Sequence, residues 1–258
     1  MELKNNTILI TGGTSGFGLI FAKRLLELKN NVIVTGRDAV KLASAKKNLP
    51  GLHTFQSDVS NPEEISALYE KVIRQFPDLN ILINNAGQMR AISLHDTSIG
   101  LTDITREVET NLMGPIRMVQ AFLPHLKQMK SAAIVNVTSG LSMVPFPIAP
   151  IYGATKSGLR SYTKSLRVQL KNTKVEVFEL VAPAANTPLN DQFEGMDGFD
   201  IKLMDPLEIV DMTIKAMEKG KYEVYPGLSR ILLIMSRLAP GFLLKQLSKA
   251  GAKQMVGN

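Results

Sequence analysis

Seven short runs of continuous, largely β-branched apolar residues punctuate the chain, and segments with helical spacing separate most of them. The runs are Thr7–Ile10, Asn31–Thr35, His53–Gln56, Ile81–Asn84, Ala133–Val137, Val175–Val181 and Tyr222–Tyr225. Continuous rather than alternating apolarity marks strands covered on both faces. Strand–helix–strand repetition then implies parallel strands joined by right-handed crossovers, with helices on both sides of the sheet. Asn61-Pro62-Glu63-Glu64 reads as a helix start: a capping side chain, proline at the first helical position, acids in the first turn. No repeat, low-complexity block or Gly/Ser linker interrupts the 258 residues. The expectation is a single α/β domain built on a doubly wound parallel sheet of about seven strands.

Composition removes several classes of function. The chain has no cysteine, which excludes disulfides and thiolate metal sites. His53, His95 and His125 show no metal-ligand spacing and read as structural or surface residues, so no metal site is expected. Met1 to Asn6 lead straight into the first strand with no apolar signal segment, so the expected location is cytoplasmic. The net charge is +7, yet the basic residues neither cluster with aromatic ones nor form a nucleic-acid motif. No nucleic-acid partner is expected.

Two motifs carry chemistry. Thr11-Gly12-Gly13-Thr14-Ser15-Gly16-Phe17-Gly18 follows the first strand and opens a helix. Glycines there allow a tight turn and close approach of a pyrophosphate, and the helix N-terminus offers N–H donors and positive potential. The spacing is TGxxxGxG rather than GxGxxG, and its place after a strand and before a helix marks a Rossmann-type dinucleotide site. The second strand ends in Val34-Thr35-Gly36-Arg37, with arginine where an NAD-preferring site places an acid. Arg37 can pair with a 2′-phosphate and stack on adenine, which favours NADP(H) over NAD(H). The second motif is Tyr152-Gly-Ala-Thr-Lys156. On a helix, this spacing puts a phenol and an ammonium on one face. A nearby ammonium favours phenolate, so the tyrosine pKa is expected to fall from about 10, giving an acid/base able to work near neutral pH.

In order and spacing, these motifs together with Asp58-Val59, Asn84-Asn85-Ala86-Gly87, Asn111, Ser139 and Thr187 resemble the short-chain dehydrogenase/reductase family over Leu3 to Gly227. Within it the chain is most similar to the bacterial DltE-like oxidoreductases, through Leu79 to Gly87 and Val137-Thr138-Ser139-Gly140-Leu141. The resemblance implies a catalytic set of Asn111, Ser139, Tyr152 and Lys156. Tyr152 is then the proton donor or acceptor. Ser139 holds the substrate oxygen, as an oxyanion site does. Lys156 bonds the nicotinamide ribose, and Asn111 anchors a water leading to it. The implied cofactor contacts are Gly12, Thr14, Ser15, Gly16, Phe17, Gly18 and Arg37, then Asp58 at the adenine amino group and Val59 in the adenine pocket. Asn85, Ala86 and Gly87 run beside the adenosine ribose, Tyr152 and Lys156 also face the cofactor, and Thr187 bonds the carboxamide. Where the family often has Pro-Gly before that threonine, this chain has Ala182-Pro183.

The expected organisation is a domain over residues 1–228, with a lid at about 187–204, and a basic amphipathic extension over 229–258. Leu141 to Ile148 is apolar and is expected to line a substrate pocket suited to a hydrophobic ketone, aldehyde or alcohol. Beyond Glu223 there is no acid, while Arg230, Arg237, Lys245, Lys249 and Lys253 follow. That tail has three readings: a cover over the pocket, a subunit contact, or a peripheral membrane contact. The family resemblance implies a homodimer or homotetramer. The resulting expectation is NADP(H)-dependent interconversion of a carbonyl and an alcohol. An NAD-preferring alcohol dehydrogenase and a non-catalytic dinucleotide-binding redox sensor are the alternatives.

Overall fold

The computed structural model describes residues 1–193 and 202–249. All seven expected strands form: β1 (Thr7–Thr11), β2 (Asn31–Gly36), β3 (His53–Gln56), β4 (Leu79–Asn84), β5 (Ala132–Ser139), β6 (Val175–Ala182) and β7 (Glu223–Val224). They make one sheet in the order β3-β2-β1-β4-β5-β6-β7, and every neighbouring pair is parallel. The longer helices are α1 (Gly16–Glu27), α2 (Ala39–Asn48) and α3 (Pro62–Gln75). After β4 come α4 (Leu101–Ile104), α5 (Arg106–Val108), a π-helical turn (Glu109–Met113) and α6 (Gly114–Leu126). Then follow α7 (Pro150–Gln169), α8 (Pro206–Glu218), α9 (Leu228–Leu238) and α10 (Pro240–Leu247).

Continuous apolarity in the strands serves two separate cores. Ile8, Ile10, Val32, Val34, Ile81 and Ile83 point to one face, where they meet Phe21 and Leu25 of α1, Leu42 of α2 and Ile209 of α8. Leu9, Ile33, Leu82 and Ile134 point to the other, against Leu68 of α3, Phe122 of α6 and Leu166 of α7. Residues one apart thus face opposite helical layers, which is why both must be apolar. Asn61 caps α3 as expected, its side chain accepting from the Glu63 and Glu64 amides at 2.9 and 3.3 Å. β5 is longer than its apolar run, because its ladder with β6 continues to the pair Ser139–Ala182. β7 is shorter, pairing only at Glu179–Glu223 and Leu180–Val224.

Strand order reverses between β1 and β4, opening a crevice above the carboxyl ends of the strands. A buried polar group fixes α7 over β6 beside that crevice. The Arg160 guanidinium lies 3.1 Å from the fully buried Glu179 carboxylate and donates to the Tyr225 hydroxyl at 2.7 Å. Thr138, one residue before the end of β5, donates to the same Glu179 oxygen at 2.7 Å. Burial raises the Glu179 pKa, while Thr138 and Arg160 pull it down. Arg160→Met should therefore lower stability by about 3–5 kcal/mol in urea denaturation, by leaving an uncompensated buried carboxylate. Adding Glu179→Leu should restore most of that loss.

Candidate active site

The glycine-rich turn is shaped by backbone contacts. Gly12 has φ +65, and a Cβ there would sit 2.8 Å from the Ala86 Cα. A Cβ on Gly18 would fall 2.2 Å from the Gly12 carbonyl oxygen and 2.5 Å from Asn85 Nδ2. Only glycine fits either position. Ser15 is the N-cap of α1, but its side chain makes no capping bond, and no acid occupies the first turn. The helix therefore presents an uncancelled positive end to the crevice, suited to an anion.

At the β4 end, the Thr11 hydroxyl accepts from the Asn85 and Ala86 amides at 3.0 and 3.1 Å. Asn85 Nδ2 donates to the Thr11 and Gly12 carbonyls, both at 3.0 Å. The Asn85 side chain thus braces the glycine turn. Asp58 is likewise engaged: its Oδ1 accepts from the Ser60 amide at 2.9 Å and the Ser60 hydroxyl at 2.8 Å. Its other oxygen lies 3.9 Å from the half-exposed Arg37 guanidinium.

A single cavity of about 560 Å³ runs from this turn to the β5 end. Gly12, Thr14, Ser15, Gly16, Phe17, Arg37, Asp58, Val59, Asn85, Ala86, Gly87, Ser139, Tyr152, Lys156 and Thr187 all line it. Gly18 and Asn111 do not: Gly18 sits under the turn against Gly12, and Asn111 is fully buried in the π-helical turn. Asn111 Oδ1 accepts from the Gln88 amide at 2.9 Å, and its Nδ2 donates to the Gln88 carbonyl at 2.8 Å and Thr155 Oγ1 at 3.2 Å. Its side chain therefore fixes the chain after β4. A Cβ on Gly87 would lie 3.4 Å from Asn111 Oδ1 and 3.5 Å from Lys156 Nζ, so the two residues flank that glycine.

Ser139, Tyr152 and Lys156 meet at the carboxyl end of β5, and all three are buried. Ser139 Oγ accepts from the Leu141 amide at 3.2 Å and stands close enough to the Tyr152 phenol to pull its pKa down. Lys156 Nζ donates to the Val137 carbonyl at 2.9 Å and lies 5.7 Å from the centre of the Tyr152 ring. Burial pushes the Tyr152 phenol up to about 12 against the pull of Ser139, and the Glu107 charge adds to the rise. This corrects the expected fall. Burial also brings the Lys156 ammonium down to about 8, and its proton is directed at a backbone carbonyl. Desolvation is the largest cause of both shifts.

Several residues at the site escaped the sequence reading. Glu107 is fully buried in α5, with its pKa raised by burial; it accepts from the Arg90 amide at 3.1 Å. It belongs to no motif, and nothing in the sequence places it near Tyr152. Lys41, four residues after Arg37 and in the first turn of α2, also lines the cavity, as does Asp38. Asp38 Oδ1 caps α2 by accepting from the Val40 and Lys41 amides at 2.9 and 3.0 Å. On the substrate side, Leu141, Phe146 and Leu189 are joined by Leu228, Ile231, Leu232 and Leu247 from α9 and α10. Ile231, Leu232 and Leu247 of the tail, with Leu228 just before it, thus wall the cavity. The expected lid falls partly on residues 194–201, outside the described residues. Its flanks are joined: the Met204 amide donates to the Ala184 carbonyl at 3.1 Å, and the Asn186 amide to the Met204 carbonyl at 3.2 Å.

His125 is buried with Nε2 3.0 Å from the Leu79 carbonyl, and His53 packs edge-on against Phe76. Among the described residues, no cluster of three or more His, Asp or Glu could hold a metal, and no helix is long and apolar enough to cross a membrane.

Sheet order and cavity position define the class: an open, doubly wound α/β protein with its site at the topological switch point. The chain belongs to the short-chain dehydrogenase family, whose model, described as short chain dehydrogenase, matches residues 6–197. It is 42% identical over 224 residues to the uncharacterized oxidoreductase DltE of Bacillus subtilis (strain 168), covering 87% of this chain and 89% of that one. It is 33% identical over 175 residues to the NADP-dependent 3-hydroxy acid dehydrogenase YdfG of Salmonella typhi, covering 67% and 70% of the two chains. A short-chain dehydrogenase/reductase from Burkholderia phymatum, solved in complex with NAD, superposes with a TM-score of 0.82 at 22% identity, over 95% of this chain and 96% of that one.

The lowered Lys156 pKa has a signed consequence. Between pH 8 and 10.5 the unfolded lysine keeps a proton that the folded one has lost, so stability rises with pH in that window. Wild-type protein should gain on the order of 3 kcal/mol relative to Lys156→Met across it. Paired urea denaturation at pH 7 and pH 10 measures this; a constant difference between the two proteins would contradict it.

Proposed function

We propose that this protein interconverts a carbonyl and an alcohol with NADP(H) as hydride carrier. The observation carrying this reading is the meeting of Ser139, Tyr152 and Lys156 in the cavity that continues to the glycine turn. The residues fit a dinucleotide: a turn that only glycine can make, an uncapped helix N-terminus for the pyrophosphate, and Arg37 with Lys41 at the far end. A bound nicotinamide supplies or takes up the hydride. Tyr152 passes its proton to the carbonyl oxygen, or takes it from the alcohol. Ser139 Oγ holds that oxygen. Lys156, released from the Val137 carbonyl, brings a positive charge toward the phenol and the ribose hydroxyls, lowering the cost of phenolate. Asn111 keeps the segment beside Lys156 in place. The apolar wall of Leu141, Phe146, Leu189 and Leu232 favours a hydrophobic ketone, aldehyde or alcohol.

NADP(H) preference rests on Arg37 and Lys41 as cations for a 2′-phosphate. Asp38, which also faces the cavity, supports the NAD-preferring alternative; its commitment to capping α2 weakens that alternative. Titration with NADPH and NADH, followed by nicotinamide fluorescence, decides between them. Arg37→Asp should weaken NADPH binding by roughly ten- to a hundredfold and NADH binding much less. An unchanged ratio would overturn the NADP(H) assignment. Tyr152→Phe should abolish turnover and keep cofactor affinity; retained turnover would remove the assigned acid/base.

A further inference from the structure

The last two described helices carry several exposed large apolar side chains. Ser229 and Leu232 hold α9 to the body of the protein: Ser229 is fully buried, and Leu232 Cδ1 lies 2.9 Å from where a Cβ on Gly140 would be. Ile234 and Leu238 lie on the opposite side of the helix, Ile231 at the edge of that side and Leu228 next to Leu232, and all four are exposed, Ile231 by 54% and Leu238 by 76%. Phe242 and Leu244 of α10 are exposed as well, on opposite sides of that helix. Arg230 and Arg237, seven residues apart, run along one flank of the α9 stripe, and Lys245 and Lys249 are exposed on and just after α10. No acid occurs after Glu223 in the sequence.

We propose that α9 and α10 form a docking surface for an anionic lipid membrane, which seats at the mouth of the cavity. Both halves of the surface match that occupant. Exposed aliphatic and aromatic side chains enter the headgroup–acyl boundary, while flanking cations stay at the phosphate level. Charge argues against a second copy of this chain. A symmetric contact would bring Arg230, Arg237, Lys245 and Lys249 of both copies together with no acid between them on this segment. A soluble polyanion would leave Ile234, Leu238 and Phe242 in water. Ile231, at the edge of the outer stripe, also lines the cavity wall, as do the exposed Leu228 and, from α10, Leu247. The cavity therefore opens beside the lipid, and an apolar substrate partitioned there reaches Tyr152 without crossing water. That last step rests on the proposed function; the docking itself does not.

Sedimentation with vesicles tests the surface. Purified full chain is mixed at low salt with vesicles of phosphatidylcholine alone or of phosphatidylcholine and phosphatidylglycerol. Wild-type protein should pellet with the anionic vesicles, stay in solution with the neutral ones, and be released by high salt. Arg237→Glu combined with Lys245→Glu should weaken binding about tenfold or more. Ile234→Ser combined with Leu238→Ser should weaken it several-fold with the charge intact, and thermal melts of both double variants should match wild type. Wild type remaining in solution with anionic vesicles, or variants pelleting like wild type, would overturn the proposal. So would a wild-type dimer that the Ile234→Ser and Leu238→Ser pair converts to monomer in sedimentation velocity, since the stripe would then belong to a second copy. Vesicle binding without any turnover would leave the surface standing and remove the proposed function instead.

Discussion

One hydroxyl ties the two halves of the sheet together at the place where strand order reverses. Thr11 Oγ1 donates toward the Ile83 carbonyl at 3.5 Å and accepts from the amides of Asn85 and Ala86. That uses the full capacity of a hydroxyl, one proton and two lone pairs. Parallel strands leave their carboxyl ends unpaired, and at a switch point the two chains leave in opposite directions. The Thr11 clamp satisfies those ends and sets the distance between the glycine turn and the β4 loop. Everything above the sheet takes its position from this fixed edge. The turn contacts Ala86, Gly87 separates Asn111 from Lys156, and Asn111 holds the Gln88 backbone.

The site above that edge works against the stability of the molecule. Lys156, Tyr152 and Glu107 are all withdrawn from water, and burial moves each pKa toward its neutral form. Such groups persist in a fold only where surrounding packing over-determines them. Here the packing comes from two cores of ordinary aliphatic residues and from the Arg160–Glu179 pair. Arg160 lies four residues after Lys156 on α7, so one helix carries both the polar anchor and the catalytic candidates. Docking α7 by a hydrogen-bonded ion pair fixes its rotation more tightly than a purely apolar contact would, since the pair has one geometry.

Much of the frame was legible in the sequence because it depends on local spacing. Each of the seven strands follows from an apolar run, the α3 cap from Asn61-Pro62, and the glycine turn from its place after β1. The family followed from the order of motifs along the chain. What could not be read depends on contacts between distant segments. The Tyr152 phenol rises because the fold buries it; helical spacing to Lys156 registers only attraction and carries no information on desolvation. Asn85 and Asp58 match motif positions, yet their side chains brace backbone and a neighbouring serine, roles that need the third dimension to see. Glu107 belongs to no motif, and its charge acts on Tyr152 only because α5 packs against α7. Asp38 went unweighed for the opposite reason: its acid sits near the β2 end, but the start of α2 claims one of its oxygens.

The short contact between Ala185 and Met204 gives the molecule a seam. The chain leaves the frame after β6 and rejoins it at this one rung before α8, so everything inserted between them is a closed excursion. Closure entropy grows only with the logarithm of loop length, so lengthening or shortening that excursion costs little as long as the rung holds. The pairing of the sheet strands does not depend on how many residues that excursion holds. A change of length there is absorbed by the loop and does not reach the ladder between β5 and β6.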